Sequence, residues 1–460
     1  MVNYRLFVLS SLAALTAFAA SPALTSPLRA EETLTLASAL DRGRLQARET
    51  VAASARQRAA EARVKEAGGY RLPQVRLSEQ WIRTDSPADA FGMLLNQERF
   101  SFPAFVAGNP NDPDPLSTAI TRLEVEIPIW TGGELSTRLE QARFAAEAAA
   151  ASAGRAGDQA AVAAAEAWIR LAQAREAQAL FEKSRETVAA HVELARAYSA
   201  QGMLVRSDLL RAEVELARLD DLLAEARGNV RIAESNLAFR LGEPLDTRYN
   251  LEALADPPPI AQESPGWLAS AEARSDLAAA RKLLDAGDLE AKALKGGLFP
   301  RIGLVARHDL VDDQLFGNNG DSTTIAALAS FDLYDGGKRR AAMAAARADA
   351  EAGRADVERF TAGIELETKQ AFEAASVALE RRRTAAAALA AAEETVRIVE
   401  DRFRAGVIRS IDLLDAATTR REAEMRELVA RAEAWLTHLH LALAAGLEPE
   451  TVLRTSTPRS

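Results

Sequence analysis

Two carboxylates three residues apart, Asp412 and Asp415, come shortly after a glycine, Gly406. On a helix that spacing puts both side chains on one face, one turn apart. Together they form a patch of negative charge that attracts cations and resists anions. Negative charge is also favoured in the first turn of any helix, where it meets the positive end of the dipole, so a capping role stays open for the same residues. Earlier in the chain Gly202 and Asp208 repeat the pattern, with Arg211 standing where the later copy has Asp415. The two glycines, and the two leading aspartates, each lie 204 residues apart. The chain is a tandem duplication whose two turns are not interchangeable.

Other chemistry is thin. There is no Ser/His/Asp order, no phosphate-binding loop and no strand-to-helix Gly-x-Gly-x-x-Gly, so the reading is of a non-enzyme without a cofactor. The chain has no cysteine, which removes disulfides and thiolate metal sites, and only four histidines. His438 and His440 sit two apart on a helix and diverge, so no metal site is expected. The net charge of −10 argues against a nucleic-acid partner, which calls for a basic face.

The elements that carry the paired turns must be long. From Glu134 to Gln201 there is no proline, and at about 1.5 Å per residue such a helix is about 100 Å long. A return helix from Arg206 ends at Gly242 and Pro244, a sound helix stop. Alanine, glutamate, arginine and leucine dominate while aromatics are only 5% of the chain, so close-packed helices are expected and a thick core is not. Ahead of each rod lie two stretches with strand alternation. Val75, Leu77 and Trp81 alternate with polar residues, with Glu79 as the exception on the apolar side, and Leu123, Val125, Ile127 and Ile129 alternate strictly. The second half repeats this with Ile302, Leu304 and Ala306, then Ile325, Ala327, Ala329, Phe331 and Leu333. Trp130 and Tyr334 each precede a Gly-Gly pair, again 204 residues apart.

These signals divide the chain into a signal peptide (1–30), a first repeat (31–250), a linker (251–270), a second repeat (271–447) and a C-terminal tail (448–460). The leader has Arg5, an apolar run from Leu6 to Ala20 and small residues after it; cleavage is open after Ala19 or Ala30, the latter preferred because a helical pattern opens near Thr33 and continues to Glu66. Strands are expected over 73–83, 120–130, 300–309 and 323–334, and helical hairpins over 133–241 and 337–445. Residues Asp85 to Pro115, rich in Pro, Asn, Asp and Gly, read as a long loop, and Val311 to Ser322 as a shorter one. Four alternating strands cannot close a barrel alone, and unpaired edges are not tolerated in lipid, so several chains must share one. Three chains give twelve strands. The fold class is mainly α with a membrane β-barrel, the aromatic pair Trp130 and Tyr334 suiting a membrane interface.

The duplicated layout, the Gly-Gly-x-x-x-Pro strand start, the aromatic-x-Gly-Gly strand exit and the glycine turn before Asp-Leu-Leu resemble the TolC family of outer-membrane factors, over about Leu34 to Gly446. The resemblance implies a homotrimer with a twelve-stranded barrel in the outer membrane and a helical barrel in the periplasm. It implies an exit duct for efflux or secretion, docked by a periplasmic adaptor and served by an inner-membrane transporter. By resemblance Asp412 and Asp415 line the pore constriction, Asp208 is a secondary constriction or a cap, and Gly202, Leu204, Ser207, Gly406, Ile408 and Ser410 form the adaptor-docking tips. The family's gate latch falls on Phe403 and Arg409, but Phe403 lacks the family's hydroxyl and Arg409 stands one place late. The competing classes are a periplasmic coiled-coil scaffold or adaptor, which the two strand pairs oppose, and a porin acting alone, for which the rods have no use. The exported substrate is not written in this chain.

Overall fold

The computed structural model describes residues 33–201, 203, 205–260, 264–405 and 407–454. The expected signal peptide, Gly202, Leu204 and Gly406 lie outside the described residues, as does the side chain of Ser410. The first half runs α1 (Leu36–Gln46), α2 (Arg48–Gly69), β1 (Gln74–Thr84), α3 (Pro87–Asn96), α4 (Phe102–Ala107), β2 (Leu116–Trp130), α5 (Glu134–Ala200) and α6 (Arg206–Leu241). The second half runs α7 (Ser264–Ala271), α8 (Ser275–Gly296), β3 (Arg301–Asp312), β4 (Gly320–Ser330), α9 (Lys338–Arg404), α10 (Ser410–Ala444) and α11 (Glu450–Arg454). Both rods, α5 and α9, have 67 residues, about 100 Å each. One end of each rod is covered by its return helix, α6 or α10, and the sheet end by α2 or α8; α5 also packs on α8 and α10, which joins the halves.

Several expectations change at the element ends. The first helix is two helices, broken at Ala47 (φ −56°, ψ 141°) with neither glycine nor proline at the break. Leu34 precedes the helix, forming a parallel bridge to Leu251, and Thr35 caps it through the Ser38 N–H. The stretch 85–115 is not a plain loop, because its apolar residues fold into α3 and α4. The link between β3 and β4 shrinks to 313–319, and β4 stops at Ser330, short of Tyr334. Residues 450–454 of the tail are helical, with Val452 buried.

The sheet order is β1-β2-β3-β4, antiparallel throughout, and among the described residues the outer edges of β1 and β4 have no partner strand. The register sorts most side chains by face in the middle of the sheet. Val75, Val125, Ala306 and Ile325 stand in one lateral row, while Arg76, Glu124, Arg307 and Thr324 form the next row on the opposite face. On that polar face Arg122 donates to both carboxylate oxygens of Asp309, at 2.7 and 3.0 Å. Glu79, the exception on the apolar face, accepts from the Thr121 hydroxyl and from the Phe316 N–H at 3.2 Å. The β2–β3 register shifts between Pro128 and Trp130, where proline has no N–H to give the ladder.

Strand turns into rod at Gly132, whose φ is +64° and whose imagined Cβ lies 2.1 Å from the Gly296 carbonyl oxygen at the end of α8. Gly133 has a φ of +85°, but an imagined Cβ there meets only the Ser136 hydroxyl, at an ordinary 3.9 Å. Gly132→Ala is therefore expected to cost about 3 kcal/mol, from strain plus the forced retreat of α8, and Gly133→Ala only about 1 kcal/mol. Denaturant unfolding followed by helical circular dichroism in detergent separates the two.

The core is a band at mid-rod. Alanines 161, 164, 165 and 167 of α5 let Leu40 of α1, Leu237 of α6 and Leu439 of α10 pack closely around Trp168 and Trp435. The two indole N–H groups donate to the Leu34 and Ala255 carbonyls, each at 2.8 Å, so the N-terminal segment and the linker are strapped onto the rods. A polar counterpart ends α10. Arg274, 4% exposed, donates to Asp276, Glu367 and the Ala444 carbonyl, and Arg155 donates to the Leu443 carbonyl.

Candidate functional site at the helix tips

The two rod ends turn in the same way. The Met203 N–H bonds the Tyr198 carbonyl at 2.9 Å, and the Val407 N–H bonds the Arg402 carbonyl at 3.0 Å, each a six-to-one closure of a helix C-terminus. Val205 and Arg409 then take extended backbone and start α6 and α10.

Asp412 is the third residue of α10, and its carboxylate accepts from the backbone N–H of Arg409 at 3.1 Å. It thus satisfies a donor that the helix start leaves free, the capping-box role. The Arg409 guanidinium stands 3.9 Å from the same carboxylate. One turn on, Asp415 is exposed and has no such engagement; its backbone carbonyl takes the Thr419 hydroxyl. Leu413 and Ala416 are buried and Leu414 packs on the Val188, Val192 and Leu219 cluster of the first hairpin, so the two carboxylates point away from that cluster. Asp208 is half-buried, with the Ser207 hydroxyl at 3.4 Å.

Of the expected latch pair, Phe403 is half-buried and Arg409 turns to Asp412 on its own helix. Among the docking residues, Ser207 is exposed and Ile408 half-buried; Gly202, Leu204 and Gly406 lie outside the described residues. Sequence reasoning passed over Met203, Val205 and Val407, which are 63%, 63% and 72% exposed and give the tips an apolar crown. Their signal was an unbroken apolar run beside each glycine. Trp130 stacks edge-on against Phe299 at 5.9 Å, while Tyr334 is exposed beyond the end of β4.

Sequence reasoning also missed the ties that hold α10. Arg421, 5% exposed, reaches Glu215 of α6 at 2.7 Å, and Arg431 reaches Glu176 of α5 and, at 3.1 Å, the Leu254 carbonyl. Among the described residues the ion pairs of α9 run within α9 itself, or to α8, the Arg274 cluster, the linker at Asp256 and the β4–α9 connection at Asp332 and Asp335. The first hairpin is zipped by Arg185 to Asp220, Arg196 to Glu213 and Arg227 to Glu182. Pairs joining exposed groups contribute little each; of the ties that hold α10 to the first hairpin, the buried Arg421 pair has the most to lose on rupture.

The two histidines of α10 part company. Among the described residues no cluster of three or more His, Cys, Asp or Glu side chains could hold a metal. His440 pairs with Glu166, whose hydrogen bond raises its pKa. His438 is buried against Trp267, ring centroids 6.4 Å apart, and burial pushes its pKa down to about 4. A depressed histidine stays neutral in the fold while the unfolded chain takes up a proton, so its contribution is lost as pH falls from about 6.5 towards 4. The loss is about 3 kcal/mol at the acid end. His440 acts in the opposite sense, stabilising below its unfolded pKa and losing that as pH rises through the folded value. His438→Leu is expected to flatten the acid limb of a plot of unfolding midpoint against pH while leaving the neutral limb in place.

The outer membrane efflux protein family matches residues 40–243 and 268–447, most of the described chain. The outer membrane efflux protein BepC of Brucella suis biovar 1 (strain 1330) is 26% identical over 256 residues, 54% of this chain and 55% of that protein, so the chain spans about half the length of this relative in the match. The fold is similar to that of the outer membrane protein VceC of Vibrio cholerae, with a TM-score of 0.71 at 18% identity over 90% of this chain and 97% of that one. It is also similar to the Campylobacter jejuni CmeC outer membrane channel, with a TM-score of 0.73 at 13% identity over 92% of this chain and 89% of that one.

Proposed function

The chain belongs to the outer membrane efflux protein family, which makes it an outer-membrane protein with a large periplasmic helical part, and from that premise we propose that three copies form one passive exit duct. The observation that carries the reading is the sheet. It has an apolar face, a charged face and, among the described residues, two edges without a partner strand, a combination that lipid tolerates only in a closed barrel. Three sheets supply twelve strands, with the Val75 row towards lipid and the Arg76 row towards water. Trp130, Phe299 and Tyr334 then lie near the membrane interface facing the rods.

The rods carry the duct away from the membrane to the tips. There Asp415, with Asp412 beside it, rings the axis in three copies and selects for cations, and the apolar crown of Met203, Val205 and Val407 offers a docking surface to an adaptor that links the duct to an inner-membrane transporter. What passes is set by that transporter. The test is mass and conductance together: light scattering of the purified protein in detergent, then single channels in a planar bilayer. Trimers with a small cation-selective conductance support the duct. A chain that stays soluble and monomeric without detergent and forms no pores overturns it in favour of a periplasmic scaffold.

A further inference from the structure

The segment between β1 and β2 folds onto one particular face of the sheet. Gln97, fully buried at the end of α3, donates to the Ser117 carbonyl at 3.0 Å and the Thr118 hydroxyl at 2.8 Å. An imagined Cβ on Gly320 lies 2.1 Å from the Asn96 carbonyl oxygen. Thr118 and Gly320 belong, by register, to the same face as Arg122, Glu124 and Arg307. That is the polar face. Helix α3 leaves the end of β1 and finishes against β4, so it crosses the strands at the end of the sheet far from the rods. Phe105 of α4 then packs on Phe91 of α3, centroids 5.1 Å apart, with Phe100 completing the cluster. Beyond these contacts Phe102 and Val106 of α4 remain 68% and 64% exposed.

We infer that α3 and α4 form a second constriction, at the distal mouth of the duct, closed by the same segment of the other two copies. The inference rests on the shared barrel proposed above. In a twelve-stranded barrel the polar face lines the lumen, and the backbone radius is about 12 Å. A helix with its side chains is about 10–12 Å across, and α3 lies along the wall with that thickness pointing inward. One copy of α3 with α4 stacked on it therefore reaches the axis, and three copies converge. Apolar side chains on the wet side of a barrel wall are costly alone and stabilising once they meet their copies. Arg99, bonded to Asp313 of the β3–β4 link at 2.7 Å, fastens the cap to the rim.

The absence of native cysteine makes a direct test possible. Phe102→Cys places one thiol per copy at the mouth, and Val75→Cys, on the apolar face, is the control. Mild oxidation of trimers should link Phe102→Cys copies in pairs and leave Val75→Cys copies unlinked. As a second readout, Ser78→Cys on the polar face below the cap is tagged in intact cells with a bulky polyethylene-glycol maleimide added outside. Adding Phe102→Asp and Val106→Asp should speed tagging several-fold. Trimers in which Phe102→Cys copies do not link and tagging is unchanged overturn the distal constriction and leave the duct standing. Protein that forms no trimers overturns both.

Discussion

Alanine at both Asp412 and Asp415 is expected to widen the tip conductance and remove most of its cation preference. Six carboxylates around one axis set a potential of about 1–2 kcal/mol on a passing monovalent ion at moderate salt, so selectivity should fall by about tenfold. The two positions are separable. The Asp415 carboxylate is exposed and has no side-chain partner among the described residues, so Asp415→Asn should carry most of the selectivity loss at little cost in stability. Asp412 caps the Arg409 N–H, so Asp412→Ala should in addition fray the start of α10 by about 1 kcal/mol. Reversal potentials in a planar bilayer under a salt gradient give the selectivity, and proteolysis near Arg409 reports the fraying. Equal selectivity for wild type and Asp415→Asn would place the charge filter elsewhere.

The second large effect is expected at Arg421. Removing it as Arg421→Ala leaves the Glu215 carboxylate, largely buried, with only Arg218 at 3.7 Å for company among the described residues. Stranding one member of a buried pair costs about 3 kcal/mol, and here the cost falls on the contact between α10 and α6. The tip should loosen, giving noisier and larger conductance as well as a lower unfolding midpoint. Arg421→Met with Glu215→Leu fills similar volume without charge and should recover most of the stability. If the double variant is as unstable as the single one, packing rather than charge holds these helices together.

What the sequence made legible is what repeats or alternates. The 204-residue offset located both tips, both Gly-Gly exits and both rods, because a surface rod tolerates little else than a continuous run of helix formers. Strand alternation located four strands, yet it overran β4, where Phe331 and Leu333 keep the pattern after pairing has ended at Ser330. The break at Ala47 had no glycine or proline to announce it; its cause is tertiary, since Gly242 at the end of α6 abuts the Gln46 carbonyl there. Helix α3 was hidden because Pro, Asn and Asp around it dominate the composition of the stretch, and its apolar residues answer to a sheet face fixed by distant strands. Arg421 and Glu215 lie 206 residues apart in a chain full of both residue types, so no local rule could pair them.

The mid-rod band draws on Leu34 near one end of the chain, Leu254 in the linker and Val452 near the other, and Arg44 is bonded to Glu450 at 2.7 Å. A chain that emerges N-terminus first therefore cannot complete this apolar cluster until Val452 has emerged. Contacts of such long sequence separation are slow to form, and until they do, the leucines and tryptophans of the band stay open to solvent. Delivery to the membrane thus carries an interval of high aggregation risk, during which a holding chaperone that covers α1 and the middle of α5 has the most to contribute.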